Sequence, residues 1–154
     1  ENERDDTVMD VIKDLYQQLI IDHNQHPQNF RILEKASHSA EGHNPLCGDE
    51  MKVSLLEKDG IIKEITFIGS GCAISKASAS IMTSTLKGMK VEDAKSLFIN
   101  FHTLATTGES SRDMGKLAVL AGVHKYPARV KCATLAWHTF NGALNNTTEI
   151  IKTE

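Results

Sequence analysis

Residues 51 to 67 constrain the fold more than any other stretch. Met51, Val53 and Leu55 alternate with polar neighbours, Asp59-Gly60 supplies a tight turn, and Ile61, Ile65 and Phe67 resume the apolar pattern. Apolar alternation on both sides of an Asp-Gly pair specifies a β-hairpin. The rest of the patterning is helical. Val8, Val11, Ile12, Leu15, Tyr16, Leu19 and Ile20 recur at helical spacing and predict an amphipathic helix over residues 7–23, with Thr7 as N-cap and Asp10 three residues on. A second helix follows Gly69-Ser70-Gly71-Cys72 and carries Ile74, Ala77, Ser78, Ile81 and Met82, with Gly88 placed to end it. Its run of small residues, 77 to 80, permits close helix packing. Val91, Ala94, Leu97, Phe98, Phe101 and Leu104 give a third helix, and residues 117–120 fall in a short fourth. Pro127 suits the first turn of a last helix, down which Val130, Ala133, Trp137, Phe140 and Leu144 form one stripe. Residues 24–46 hold His26-Pro27, Gly42 and Asn44-Pro45 and read as loop, with at most one helical turn around Phe30, Ile32 and Leu33. The fold class is α+β: a small antiparallel β-sheet packed against several α-helices. A single domain over residues 7–154 is expected behind a polar, flexible tail, residues 1–6.

Length and composition narrow the function classes. A chain of 154 residues with 40% hydrophobic content can bury a core without staples. Both charge signs are interspersed and the net charge is -3, so no field gathers polyanions and nucleic acid is not an expected partner. Apolar runs are far shorter than the roughly 20 residues needed to span a bilayer, so no membrane partner is expected. Three cysteines, Cys47, Cys72 and Cys132, make an odd count that points to thiols in a reducing, cytoplasmic compartment rather than to disulfides. The chain opens on Glu rather than Met, so localisation rests on this thiol chemistry and not on the N-terminus.

The thiols fall at places where chemistry is feasible. Their separations, 24 and then 59 intervening residues, match no zinc-finger spacing, and three inert buried cysteines remain an alternative on composition alone. Cys47-Gly48-Asp49 approaches the hairpin, where residues two apart share one side of an extended chain and Gly48 lets the backbone bend close to an ion. Cys72 follows a glycine-rich turn at a strand-to-helix junction, where free N–H groups and the helix dipole favour thiolate over thiol. Cys132 lies five residues after Pro127, near the start of the last helix, with a weaker bias of the same kind. Three sulfurs and one carboxylate make a tetrahedral set suited to zinc. With a divalent ion that set carries a charge of about -2, so cations are wanted nearby. Arg129 and Lys131 flank Cys132; Lys76, one turn beyond Cys72, reads as a solvated surface charge. His43, in a polar stretch four residues before Cys47, reads as solvated rather than as a ligand, and His23 and His26 suit the C-terminal end of the first helix. Met82 and Trp137 read as packing. No Walker loop, dinucleotide fingerprint or nucleophile elbow is present.

Taken in order, several segments resemble a known family. They are Leu15-Tyr16 through Asp22-His23, Asn44-Pro45-Leu46-Cys47-Gly48-Asp49, Gly69 to Ser75 with Ala77 to Ser80, and Pro127 to Trp137. Together they resemble the SufU-type iron-sulfur cluster assembly proteins, relatives of the NifU N-terminal domain and of the iron-sulfur scaffolds. Scaffold relatives carry a histidine immediately before the third cysteine, where Lys131 stands here. The stretch between Cys72 and Cys132 resembles the longer SufU form, with an insertion ending near Gly115. The resemblance implies zinc held by Cys47, Asp49, Cys72 and Cys132, Arg129 beside the metal, and Cys47 as the acceptor of persulfide sulfur from a SufS-type cysteine desulfurase. It further implies that a desulfurase histidine replaces Cys47 on zinc during transfer and that sulfur passes on to downstream iron-sulfur scaffold proteins. Two other readings stay open: a scaffold on which an iron-sulfur cluster is assembled by the same ligands and then transferred, and a purely structural zinc.

Overall fold

The computed structural model describes residues 17–153. The expected tail, and residues 7–16 of the expected first helix, lie outside them. Helix α1 occupies residues 17–25, two residues beyond the end expected from periodicity. Strands β1 (His38–Asn44), β2 (Asp49–Lys58) and β3 (Ile61–Ser70) follow, then helices α2 (Ala73–Leu86) and α3 (Val91–Thr107). A 3-10 segment (Gly115–Lys125), helix α4 (Pro127–Leu144) and strand β4 (Ile151–Lys152) complete the order. The architecture is α+β, a four-stranded sheet in the order β3-β2-β1-β4 with helices on one face.

The β2–β3 hairpin turns at Asp59-Gly60, both with positive φ (56° and 75°), as a two-residue turn between right-twisted strands requires. Val53, Leu55, Ile65 and Phe67 point into the core from this hairpin. Strand β1 was not legible as a strand, and the reason is local. Its inward positions are Ala40, Gly42 and Asn44, small or polar residues that show no apolar alternation. They are small because α4 runs close beneath: a Cβ on Gly42 would overlap the Thr139 hydroxyl and crowd Leu135. Residues 38–44 therefore correct the loop expected over 24–46. The expected antiparallel sheet is also incomplete, because β4 joins β1 in parallel through Gly42↔Ile151 and makes the sheet mixed.

Beneath the sheet, α4 packs on β1, β2 and α2. The small face of α2 is wholly buried, with Ala77, Ser78 and Ala79 fully covered and the Ser78 hydroxyl donating to the Ala133 carbonyl of α4. Trp137 stacks on Phe101 of α3 at a centroid distance of 4.5 Å. Each such aromatic buries roughly 150–250 Å², on the order of 4–6 kcal/mol of transfer free energy before entropy is charged. Helix α3 ends at Gly108 in the left-handed region (φ 83°), and Pro127 opens α4 as expected. No described helix is long and apolar enough to cross a membrane.

Candidate metal centre

Cys47 sits in the tight turn of residues 45–48 that joins β1 to β2. The turn begins and ends on the ladder pair Asn44↔Asp49, and the Cys47 N–H donates back to the Asn44 carbonyl at 3.3 Å. Gly48 closes it at φ 72°, with open space where a Cβ would be, so the glycine is required by backbone conformation and not by crowding. This differs from the extended approach expected from sequence. The turn, not strand alternation, brings the Cys47 sulfur and the Asp49 carboxylate to the same place. Cys47 is exposed, as is Leu46 beside it, whereas Asp49 is only 1% exposed.

Cys72 is the N-cap of α2, the junction expected for it, and its sulfur accepts the Ser75 N–H at 3.4 Å. Its own N–H donates to Asp49 Oδ1 at 2.8 Å. Gly71 makes room for that carboxylate: a Cβ there would stand 2.6 Å from Asp49 Oδ1. Cys132 lies in the second turn of α4, fully buried, with its sulfur 3.5 Å from the sulfur of Cys47. Asn44, also fully buried, spans the Asp49 carboxylate and the Cys132 sulfur. Its Nδ2 donates to Asp49 Oδ2 at 3.2 Å and to Cys132 Sγ at 3.6 Å.

Among the described residues, the donor atoms of Cys47, Asp49 and Cys132 all lie within 4.8 Å of one another. A tetrahedral zinc with Zn–S bonds near 2.3 Å separates two sulfurs by about 3.8 Å, close to the observed 3.5 Å between Cys47 and Cys132. Two sulfurs, a carboxylate and the adjoining Cys72 sulfur form a donor set that fits this ion. Cys72 stands at the edge of the cluster, outside the mutually close three, but near enough to act on Cys132. Burial is the largest cause pushing the Cys132 thiol well above its ordinary range, and hydrogen bonding with Cys72 and Cys47 adds to it. Without a cation at this spot Cys132 is a thiol, so metal binding must displace its proton.

The surrounding cations are arranged differently from expectation. Arg129 is exposed on the first turn of α4 and Lys131 is half-buried; neither makes an ion pair among the described residues. Lys76, expected in solvent, lies over the Phe30 ring at 4.9 Å. His43 belongs to β1, half-buried opposite Glu50, and is no part of the cluster. His23 is buried with Nδ1 2.7 Å from Ser80 Oγ, and burial lowers its pKa, so a charged ring at the end of α1 is replaced by a neutral, core-facing one. Asn44 is the functional neighbour that pattern reading passed over. Its signal was its place in Asn44-Pro45-Leu46-Cys47, one ladder pair from Asp49.

Comparison with known proteins gives a consistent picture. The model of the NifU-like N terminal domain matches residues 15–133. Over 125 residues the chain is 41% identical to the zinc-dependent sulfurtransferase SufU of Bacillus subtilis, covering 80% of this chain and 84% of that one. It is 39% identical to the iron-sulfur cluster assembly scaffold protein IscU of Thermotoga maritima, covering 87% of this chain and 95% of that one. A crystal structure of a SUF-system iron-sulfur cluster assembly scaffold protein from Fervidobacterium islandicum superposes with a TM-score of 0.77 at 31% identity, covering 82% of this chain and 93% of that one.

Proposed function

The chain belongs to the NifU-like N-terminal domain family of iron-sulfur cluster assembly proteins, and from that premise we propose that it is a zinc-dependent sulfurtransferase serving a cysteine desulfurase. The observation that carries the reading is the unequal exposure of the three cysteines: Cys47 is exposed on a turn, Cys72 is half-buried and Cys132 is buried. A sulfur acceptor has to reach a sulfur held on another protein, and Cys47 is placed to do so.

Cys47, Asp49, Cys72 and Cys132 would hold the ion. When bound, zinc supplies a charge that keeps buried thiols ionised and tempers the nucleophilicity of Cys47. The protein's own part is positional. Asp49 and Cys132 are fixed by buried hydrogen bonds, and Cys72 by the start of α2, so Cys47 can leave its place while the remaining ligands stay. Freed, the Cys47 thiolate attacks the terminal sulfur of the desulfurase's cysteine persulfide. A new S–S bond forms to Cys47 Sγ, the partner's S–S bond breaks, and the partner's cysteine departs as thiolate, with no net oxidation. Arg129, exposed at the mouth of α4, offers a guanidinium to the excess negative charge of the loaded site. Downstream, the Cys47 persulfide is handed to an iron-sulfur scaffold.

The likeness to IscU of Thermotoga maritima over nearly all of that protein favours a second reading, a scaffold that builds a cluster on the same ligands. One experiment separates them. The purified protein is incubated anaerobically with desulfurase, cysteine and iron, its persulfides are mapped by mass and its absorption recorded. Persulfide at Cys47 and a colourless protein support transfer. Modification centred on Cys72 or Cys132 reassigns the acceptor, and a stable coloured cluster favours the scaffold.

A further inference from the structure

The Asn44 side chain has an imbalance that needs a cause. Both protons of its amide nitrogen are committed, one toward Asp49 Oδ2 and one toward Cys132 Sγ. Its Oδ1 is buried and has no hydrogen-bond partner among the described residues. A buried acceptor left unpaired costs about 1–3 kcal/mol, and an amide can usually escape such a cost by rotating half a turn. Here rotation would aim Oδ1 at the Asp49 carboxylate. The orientation is therefore set by that anion together with the Cys132 sulfur, and Asn44 accepts a local cost to serve them. It is also fully buried and sits on the last rung of the β1–β2 ladder, so its own position is fixed by backbone pairing.

The same network is selective about which ligands it ties together. Asp49 Oδ1 takes the Cys72 N–H in the space that a Cβ on residue 71 would crowd, Asp49 Oδ2 takes Asn44, and Asn44 reaches Cys132. Three ligand-bearing segments are thus clamped to one another. Cys47 is held less directly: it rides on the turn between Asn44 and Asp49, and among the described residues its own contacts to the clamp are the 3.5 Å approach to the Cys132 sulfur and its backbone bond to Asn44.

We infer that Asn44 is a positioning residue, a neutral donor that holds Asp49 and Cys132 as a preformed pair so that zinc stays on the protein while Cys47 is away. This deepens the sulfurtransferase reading and rests on it for the metal. An amide suits the task better than a cation would. It donates to the carboxylate and to the sulfur and adds no charge to compete with the ion between them.

The test is zinc affinity, measured by chelator competition, in wild-type protein and in Cys47→Ala, each with and without Asn44→Leu. Leucine keeps the branched four-atom outline of asparagine, though it is bulkier, and it removes both the donor and the orphaned oxygen. The expected result is a folded protein with a modestly lower metal-free melting temperature, and zinc affinity down by about 10–100-fold with the larger loss in the Cys47→Ala background. Asn44→Asp, which reverses the donor to an anion, should lose more zinc than Asn44→Leu. The cobalt-substituted protein gives an independent readout, because a displaced Asp49 or Cys132 alters the ligand-field and sulfur-to-metal bands. In the wild-type protein itself, zinc should slow exchange of the Asn44 amide protons. Unchanged affinity and an unchanged cobalt spectrum in Asn44→Leu would overturn the inference and leave the sulfurtransferase reading intact. A wild-type protein that binds no zinc would overturn both, and retained affinity with no sulfur on Cys47 would overturn only the transfer step.

Discussion

Gly71→Ala isolates the seat of the Asp49 carboxylate. The added methyl would stand 2.6 Å from Asp49 Oδ1, 3.1 Å from Cγ and 3.2 Å from Cβ, so the side chain must shift by several tenths of an ångström or more. Asp49 has little freedom to do so. It is 1% exposed and held by the Cys72 N–H at 2.8 Å and by Asn44 at 3.2 Å. Losing one hydrogen bond to a charged group costs about 1.5–3 kcal/mol, while Gly→Ala restrains the unfolded chain and returns about 0.4–1 kcal/mol. The net expectation is a loss of about 1–2 kcal/mol in denaturant unfolding, with zinc affinity falling about 10–100-fold because a ligand is displaced. Gly122→Ala is the matched control. It has open space around the added methyl and should gain up to about 1 kcal/mol with no change in zinc binding. If Gly71→Ala is as stable as Gly122→Ala and holds zinc like wild type, the carboxylate does not rest against residue 71 and the site geometry is wrong.

Four further outcomes are expected. Asp49→Ala should keep the fold, retain zinc weakly and lose most stimulation of the desulfurase; near-normal stimulation of cysteine turnover would count against the proposed transfer. Zinc binding near neutral pH should release protons, since the buried Cys132 thiol is held protonated; calorimetry in buffers of different ionisation heat reads their number, and zero would contradict that burial. The stability of the metal-free protein should decline as pH rises above the ordinary thiol value near 9.0, because there the unfolded chain gives up the Cys132 proton and the folded chain keeps it. For His23 and His138 burial lowers the pKa, so the unfolded chain binds protons first: stability is complete above about pH 6.5 and falls as pH drops below it, and His138→Gln should flatten the fall in melting temperature.

What the sequence disclosed and what it hid follow from the same physics. Period-two alternation and an Asp-Gly pair marked the β2–β3 hairpin because that hairpin has one large apolar face. Strand β1 has no such face: Ala40 and Gly42 are small to admit α4, and Asn44 is polar to serve the neighbouring anions. Its strand character is imposed by pairing with β2, which no local pattern records. Strand β4 is two residues long and exists through β1 alone. At the site, Cys47 and Asp49 were legible because Cys-Gly-Asp places two donors around a flexible residue. The convergence of Cys132 onto them crosses 85 positions; ligand chemistry made it conceivable, spacing did not support it, and the resemblance to a family implied it. The sequence reading sought positive charge near the anions and named Arg129 and Lys131 as neighbours of Cys132. The structure adds a buried neutral amide that this search for cations did not consider, and Arg129 lies exposed on the first turn of α4.

That substitution of an amide for a cation bears on how such a site can serve transfer at all. A buried cation beside Asp49 and Cys132 would occupy the carboxylate and repel a divalent ion, and so would compete with zinc for the same ligands. A carboxylate and a thiol held by one donor are preformed but unpaired, and the metal-free site stays poised to bind. Rigidity is then spent on the ligands that must not move, while Cys47 remains on a turn whose backbone has one bond to the ladder and a glycine in the left-handed region beside it. On the proposed reading a carrier needs one ligand to be loose and the others secure, and Cys47, exposed on its turn, is anchored less than the half-buried Cys72 and the buried Cys132.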